Sequence, residues 1–104
     1  MEKKPILLKH LRQALKWAKK AREKEAKIGG KLRSYDQRRW SCGTSCCIHG
    51  AAHLAARGKD ARTWPSQDDY ADIDYFTRRL VLDILDSQNG SPEMIERVLA
   101  NAGY

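Results

Sequence analysis

All three cysteines of this 104-residue chain and two of its three histidines lie within one short stretch, residues 40–53. Cysteine and histidine are the residue types that hold zinc, and they also act as nucleophile and base in hydrolases. This stretch is therefore the place where metal or covalent chemistry would be carried out. Its chemistry-bearing residues are Cys42, Cys46, Cys47, His49 and His53.

A metal site is the first possibility. If a helix already includes Cys42, then Cys42, Cys46, His49 and His53 form one stripe along it. Eleven residues of helix span roughly 16 Å, whereas zinc–ligand bonds are about 2.0–2.3 Å long. Only adjacent pairs, such as His49 with His53 or Cys46 with His49, could share an ion, and the other ligands would have to come from His10 or from a second copy of the chain. A Zn²⁺ site therefore remains the alternative interpretation, with Cys46, His49 and His53 as its candidate ligands. We predict no cofactor, and we interpret Cys46 and Cys47 as small buried hydrophobic residues.

A nucleophilic cysteine is the second possibility. Cys42 follows Arg38 and Arg39, and at the N-terminus of a helix its thiol would have a lowered pKa. The histidines that come after it, His49 and His53, lie on the same predicted helix, and no strand is predicted that would carry a base. We therefore predict that the protein is not an enzyme. A cysteine hydrolase would instead show rapid alkylation of Cys42.

The stretch of about seventeen residues from Tyr35 to Ala51 resembles the motif W-x-C-G-T-x-x-C-[IL]-x-G-x-A of small, uncharacterised bacterial and phage proteins. The resemblance implies a phage or mobile-element origin and treats Cys42 and Cys47 as paired positions, but it implies no activity. Where such proteins often carry histidine or tryptophan after the glycine, this chain has Ala51. The matching positions are Trp40, Cys42, Gly43, Thr44, Cys47, Ile48 and Gly50.

The formal charge of +7 is distributed unevenly along the chain. Residues 1–40 contain 14 basic and four acidic side chains, net +10, whereas residues 41–104 contain six basic and nine acidic side chains, net −3. A basic half of this kind indicates a partner such as nucleic acid or an acidic protein surface. Two plainer interpretations stay open. The charge serves solubility, or the basic half docks on the acidic half of the same chain or of a second copy.

The composition also bounds the class of protein. No run of eighteen apolar residues is present, so we predict neither a membrane-spanning segment nor a membrane partner. The apolar run near Met1 is too short for a signal peptide, and an odd number of cysteines is not typical of a secreted disulfide framework. We therefore expect a cytoplasmic protein with reduced thiols, and a chain of this length predicts a single domain, residues 1–104.

The apolar pattern follows a helical period almost throughout. Gly29 and Gly30 are interpreted as the C-terminal stop of the first helix, the hydroxyls of residues 41–44 as candidate N-caps of the second, and Ser91 with Pro92 as the beginning of the fourth. No segment has a pattern that predicts a β-strand. The predicted fold is therefore an all-α bundle of about four helices, at residues 6–28, 43–57, 67–88 and 92–102.

The predicted function is that of a small basic binding or adaptor protein, associated with nucleic acid through its N-terminal helix. One alternative is a phage or mobile-element module that inhibits or assists another protein. Another is a small protein stabilised by Zn²⁺ or dependent on a cysteine. Because a chain of this length can form only a small hydrophobic core, we also expect that a homodimer is possible. The predicted contact residues are Lys9, Lys16, Lys20, Lys27, Arg38 and Arg39.

Overall fold

A computed structural model describes residues 4–37, 41–42, 45–59 and 68–104, with residues 41 and 42 described by their backbone alone. None of the described helices is long and apolar enough to cross a membrane. In chain order the described elements are α1 (Leu8–Ala21), β1 (Ala26–Ile28), β2 (Lys31–Tyr35), β3 (Ser41–Cys42), β4 (Ser45–Cys46), α2 (Ile48–Arg57), α3 (Tyr75–Leu85) and α4 (Pro92–Asn101). The strand order is β1-β2-β4-β3, in which β2 and β4 are parallel and the other neighbours are antiparallel.

The prediction of an all-α helical bundle is wrong, because short strands occupy residues that we assigned to helices. The fold is α+β. The first helix ends at Ala21 rather than near residue 28. Gly29 and Gly30 have φ angles of +58° and +79°, which suit the two-residue turn of a β-hairpin. The glycine pair therefore connects β1 to β2 instead of ending a helix.

The hairpin turn also lies against α2, and this contact depends on Gly29. A Cβ atom on Gly29 would lie 2.3 Å from the carbonyl oxygen of Leu54, whereas a Cβ atom on Gly30 would meet nothing within 4 Å. We expect Gly29→Ala to lower the free energy of unfolding by about 2 kcal/mol more than Gly30→Ala, because both strain the backbone and only the first adds a clash. Urea unfolding of both variants measures the difference. Equal losses would contradict this packing.

The second helix begins later than predicted. α2 starts at Ile48 rather than near residue 43, because the preceding residues form β4 and pair in parallel with the end of β2. Its N-cap is Cys47, whose Sγ atom accepts a hydrogen bond from the backbone N–H of Gly50 at 3.5 Å. Of the predicted N-caps, Ser41 lies in β3, and residues 43–44 lie outside the described residues. The apolar pattern has a helical period that extends into residues of the sheet, and the predicted helix therefore began too early.

The third helix is shorter than predicted, and the fourth is confirmed. α3 begins at Tyr75, after Asp74, whose carboxylate accepts a hydrogen bond from the backbone N–H of Thr77 at 3.1 Å. Its predicted beginning near residue 67 lies outside the described residues. Tyr70 has a φ of +60°, which does not occur within an α-helix, so the helix cannot include it. α4 lies where it was predicted, with a serine N-cap and a proline in its first turn.

α1 packs against α2 and α4, and hydrogen bonds toward both of its ends hold the helix in one orientation. Leu15 and Trp17 are buried in a core to which all four helices contribute. The indole N–H of Trp17 donates to the carbonyl oxygen of Ala26 at 3.0 Å and so ties α1 to β1. At the N-terminal end, the backbone N–H of Leu8 donates to the carboxylate of Asp72 at 2.9 Å. α1 is therefore held as a rigid support for its outward side chains.

Candidate functional site

The outward face of α1 carries four basic side chains, here called the basic row: Lys9, Arg12, Lys16 and Lys20. All four are exposed. On an α-helix, Lys9, Lys16 and Lys20 fall within about 40° of one another, with Arg12 beside them, and the row spans roughly 17 Å. The structure therefore brings three of the predicted contact residues together. It adds Arg12, which was not among the predicted contact residues although the helical period of the sequence would have placed it beside Lys9 and Lys16.

The basic row differs in its electrostatic surroundings from the two cations nearest to it. Lys19 pairs with Glu96 of α4 at 2.7 Å. Arg22 forms an ion pair with Glu93, and this contact holds the pKa of the Glu93 carboxyl below its usual range. Among the residues that the structure describes, no carboxylate lies within ion-pair distance of the basic row. The basic half thus docks on the acidic half at Lys19 and Arg22, whereas the row keeps its charge exposed.

A groove of about 440 Å³ runs beside the basic row, between α1 and α4. Its charged rim includes Arg12 and Lys16, and its apolar lining includes Leu15, Leu99 and Ala100. A groove of this composition can accept apolar side chains from a partner helix while its rim attracts acidic neighbours. The surface near α1 therefore combines charge with a small apolar depression.

The other predicted contact residues lie away from α1. Lys27 is exposed in β1, opposite Leu32 in the hairpin. It belongs to a separate element from the basic row. Arg38 and Arg39 lie outside the described residues, so their role as contacts stays a prediction.

The stripe of cysteines and histidines along one helix does not form. Cys42 and Cys46 lie in β3 and β4, and only His49 and His53 lie on α2. Cys46 and His49 are buried, whereas His53 is partly exposed. In the described part of the chain, no group of three or more cysteine, histidine or acidic side chains is arranged to hold a metal ion. Cys46, His49 and His53 therefore do not converge as the ligands of one Zn²⁺ ion.

Cys47 occupies the position of a reactive thiol but lies in surroundings that disfavour its ionisation. As the N-cap of α2, its sulfur accepts a hydrogen bond from the Gly50 N–H, which favours the thiolate. Burial is the larger effect and raises the pKa of Cys47. A neutral, buried thiol is the opposite of what a hydrolase nucleophile requires. The side chain of Cys42, the cysteine weighed as a nucleophile, lies outside the described residues.

A buried polar cluster joins α2 to the segment before α3. The Nδ1 atom of His49 lies 2.9 Å from the Tyr70 hydroxyl, and both side chains are buried. Burial lowers the pKa of His49 to about 4, so its imidazole is neutral at pH 7. Beside it, the Arg57 guanidinium donates to Nε2 of His53 at 3.1 Å and lies 3.8 Å from a carboxylate oxygen of Asp69. These hydrogen bonds and this ion pair join α2 to the segment before α3.

Comparisons of this chain with protein-family models, with curated proteins and with solved structures found no match. The motif resemblance of residues 35–51, and the phage or mobile-element origin that it implies, stay predictions. The function is therefore inferred from the surface chemistry of the described residues.

Proposed function

We propose that the protein is a non-enzymatic binding module that holds nucleic acid along the basic row of α1. The observation that supports this most directly is that four exposed cations share one helix face without a carboxylate partner among the described residues. Cationic side chains that contact phosphates release condensed counterions, and this release favours binding whatever the base sequence. The module would act in the cytoplasm with its cysteines reduced.

Because α1 is held rigidly, the four side chains of the basic row can contact phosphates together. The hydrogen bonds of Trp17 and Asp72 fix the two ends of the helix, so the row keeps its spacing when a ligand binds. Lys27 is a further exposed cation, on the hairpin that follows α1 in the chain. Flexible lysine side chains contact phosphates more readily than they read base edges. The proposed binding is therefore independent of sequence.

A titration with the reduced 104-residue chain tests this proposal. The ligand is a labelled DNA duplex of mixed sequence, and polyglutamate is the comparison. A duplex carries one charge per about 1.7 Å, roughly twice the linear charge density of an extended polyglutamate, so we expect at least about tenfold tighter binding to the duplex. Equal affinity for polyglutamate would favour an acidic protein partner instead. Absence of binding to the duplex would contradict the proposal.

The groove between α1 and α4 supports a second candidate function, in which an acidic amphipathic helix of another protein is the partner. This candidate corresponds to an inhibitor or accessory module. Ala100 is exposed and lines the groove, so Ala100→Trp would fill it without changing the charge. We expect this variant to bind the duplex as the parent does. An acidic amphipathic peptide that binds the parent and not Ala100→Trp would instead support the protein partner.

A further inference from the structure

α3 exposes large apolar side chains on its outer face. Phe76 is 79% exposed, Tyr75 58% and Leu80 54%, while the opposite face of the helix buries Val81 and Leu85. Phe76 and Leu80 are one helical turn apart, so they form one continuous apolar surface. Adjacent exposed apolar side chains of this size mark an interaction site more often than a solvated surface.

Two charged residues share this face with the apolar pair. Phe76, Arg79, Leu80 and Asp83 follow the i, i+3, i+4, i+7 period of one helix face, and all four are exposed. Within the described residues, neither Arg79 nor Asp83 forms an ion pair. A basic residue that precedes an acidic residue by four positions is also the less favourable order for an ion pair within one helix. These charges are therefore available to a partner.

We propose that this surface, here called the α3 face (Phe76, Arg79, Leu80 and Asp83), is a homodimer interface in which two copies pack α3 against α3 in antiparallel orientation. A two-fold axis midway between Arg79 and Asp83 places Arg79 of each copy beside Asp83 of the other. The same axis passes close to Leu80, so the two Leu80 side chains meet at the centre. Phe76 of each copy then flanks this central contact.

The charge order along the α3 face selects a second copy over an unrelated partner. Along α3 the face presents the positive Arg79 first and the negative Asp83 second. In an antiparallel copy the order is reversed, so each positive side chain lies opposite a negative one. A parallel arrangement would oppose like charges. α3 packs against α4, whereas the basic row lies on α1, so the two proposed surfaces belong to different helices. This proposal does not depend on nucleic-acid binding.

Sedimentation equilibrium of the reduced 104-residue chain tests the dimer. A single-helix interface is at the small end of specific interfaces, so we expect a dissociation constant on the order of 10 µM. Arg79→Asp or Asp83→Arg alone should weaken association by about tenfold or more, because each opposes like charges across the axis. The double variant, Arg79→Asp with Asp83→Arg, should restore association to within about threefold of the parent. Leu80→Glu should give a monomer.

Met94→Glu on α4 is the matched control, because Met94 is also an exposed apolar residue, 44% exposed, and lies off the α3 face. We expect it to associate as the parent does. Far-ultraviolet circular dichroism of every variant checks that the exposed substitutions leave the fold intact. A monomeric parent at all concentrations, a dimer indifferent to the single charge reversals or to Leu80→Glu, or a double variant without restored association would each overturn the proposal.

Discussion

Replacing Lys16 and Lys20 together by glutamate is expected to weaken binding to a DNA duplex by about 10²-fold or more, because two phosphate contacts are lost and two repulsive charges are added. Both side chains are exposed and have no ion pair among the described residues, so the substitutions should leave the fold unchanged. The dependence of affinity on salt should also become shallower by about two in the log–log slope. Fluorescence anisotropy titrations at several salt concentrations measure both effects.

The matched control reverses two cations elsewhere on the surface. Lys59 and Arg97 are exposed and lie outside the basic row, on the segment after α2 and on α4. Lys59→Glu with Arg97→Glu changes the net charge by the same amount as the Lys16 and Lys20 pair. We expect the control to lower affinity by about threefold or less, since it alters only the long-range field. Equal losses in the two double variants would mean that net charge, not the basic row, determines binding.

His49 is expected to lower the free energy of unfolding by roughly 3 kcal/mol as the pH decreases from 6.5 to 4, because it is buried in neutral form. Burial lowers the pKa of His49 from 6.5 to about 4 in the folded state. In this window the unfolded chain binds a proton that the folded chain does not. Stability therefore decreases as the pH falls from the unfolded pKa to the folded pKa, and above pH 6.5 this contribution is constant.

Comparison with His49→Gln isolates this effect from acidic residues that also titrate. Glutamine can still exchange a hydrogen bond with the Tyr70 hydroxyl but does not bind a proton in this range. Urea unfolding at intervals between pH 7.5 and 4 should show a steeper loss of stability in the parent than in the variant, by up to about 1.4 kcal/mol per pH unit. His53→Gln is the second comparison, and a smaller change is expected because His53 is partly exposed. Parallel pH profiles for parent and His49→Gln would contradict a neutral, buried His49.

Local sequence signals predicted those parts of the fold that depend on local chemistry. The serine cap and first-turn proline of α4 specify its beginning directly, and the 3.6-residue period of α1 specifies which lysines face outward. Gly29-Gly30 also carries a local hairpin signal, since a two-glycine turn suits antiparallel strands as well as a helix end. Because we interpreted this pair as the end of the first helix, the predicted helix wrongly included the residues that form β1.

The remaining features depend on contacts between distant residues. β4 pairs in parallel with the end of β2, and short pairings of this kind leave no clear alternation in the sequence. The hydrogen bond between His49 and Tyr70 joins residues 21 positions apart, so the helical period gave no indication that this histidine is buried against a tyrosine. In the candidate site, the outward lysines followed from periodicity alone. The ion pair of Lys19 with Glu96 forms only because α1 packs on α4, so the sequence did not show that Lys19 is paired with a carboxylate while the basic row is not.

The most direct test of nucleic-acid binding by the basic row is the salt dependence of duplex affinity for the unmodified chain. If the four cations of the row contact phosphates, the logarithm of the association constant should fall linearly with the logarithm of salt concentration, with a slope of about −3 to −4. Between 50 and 200 mM salt this corresponds to a loss of roughly 10²-fold. An affinity that does not change with salt, or no measurable binding at 50 mM, would contradict the proposed function.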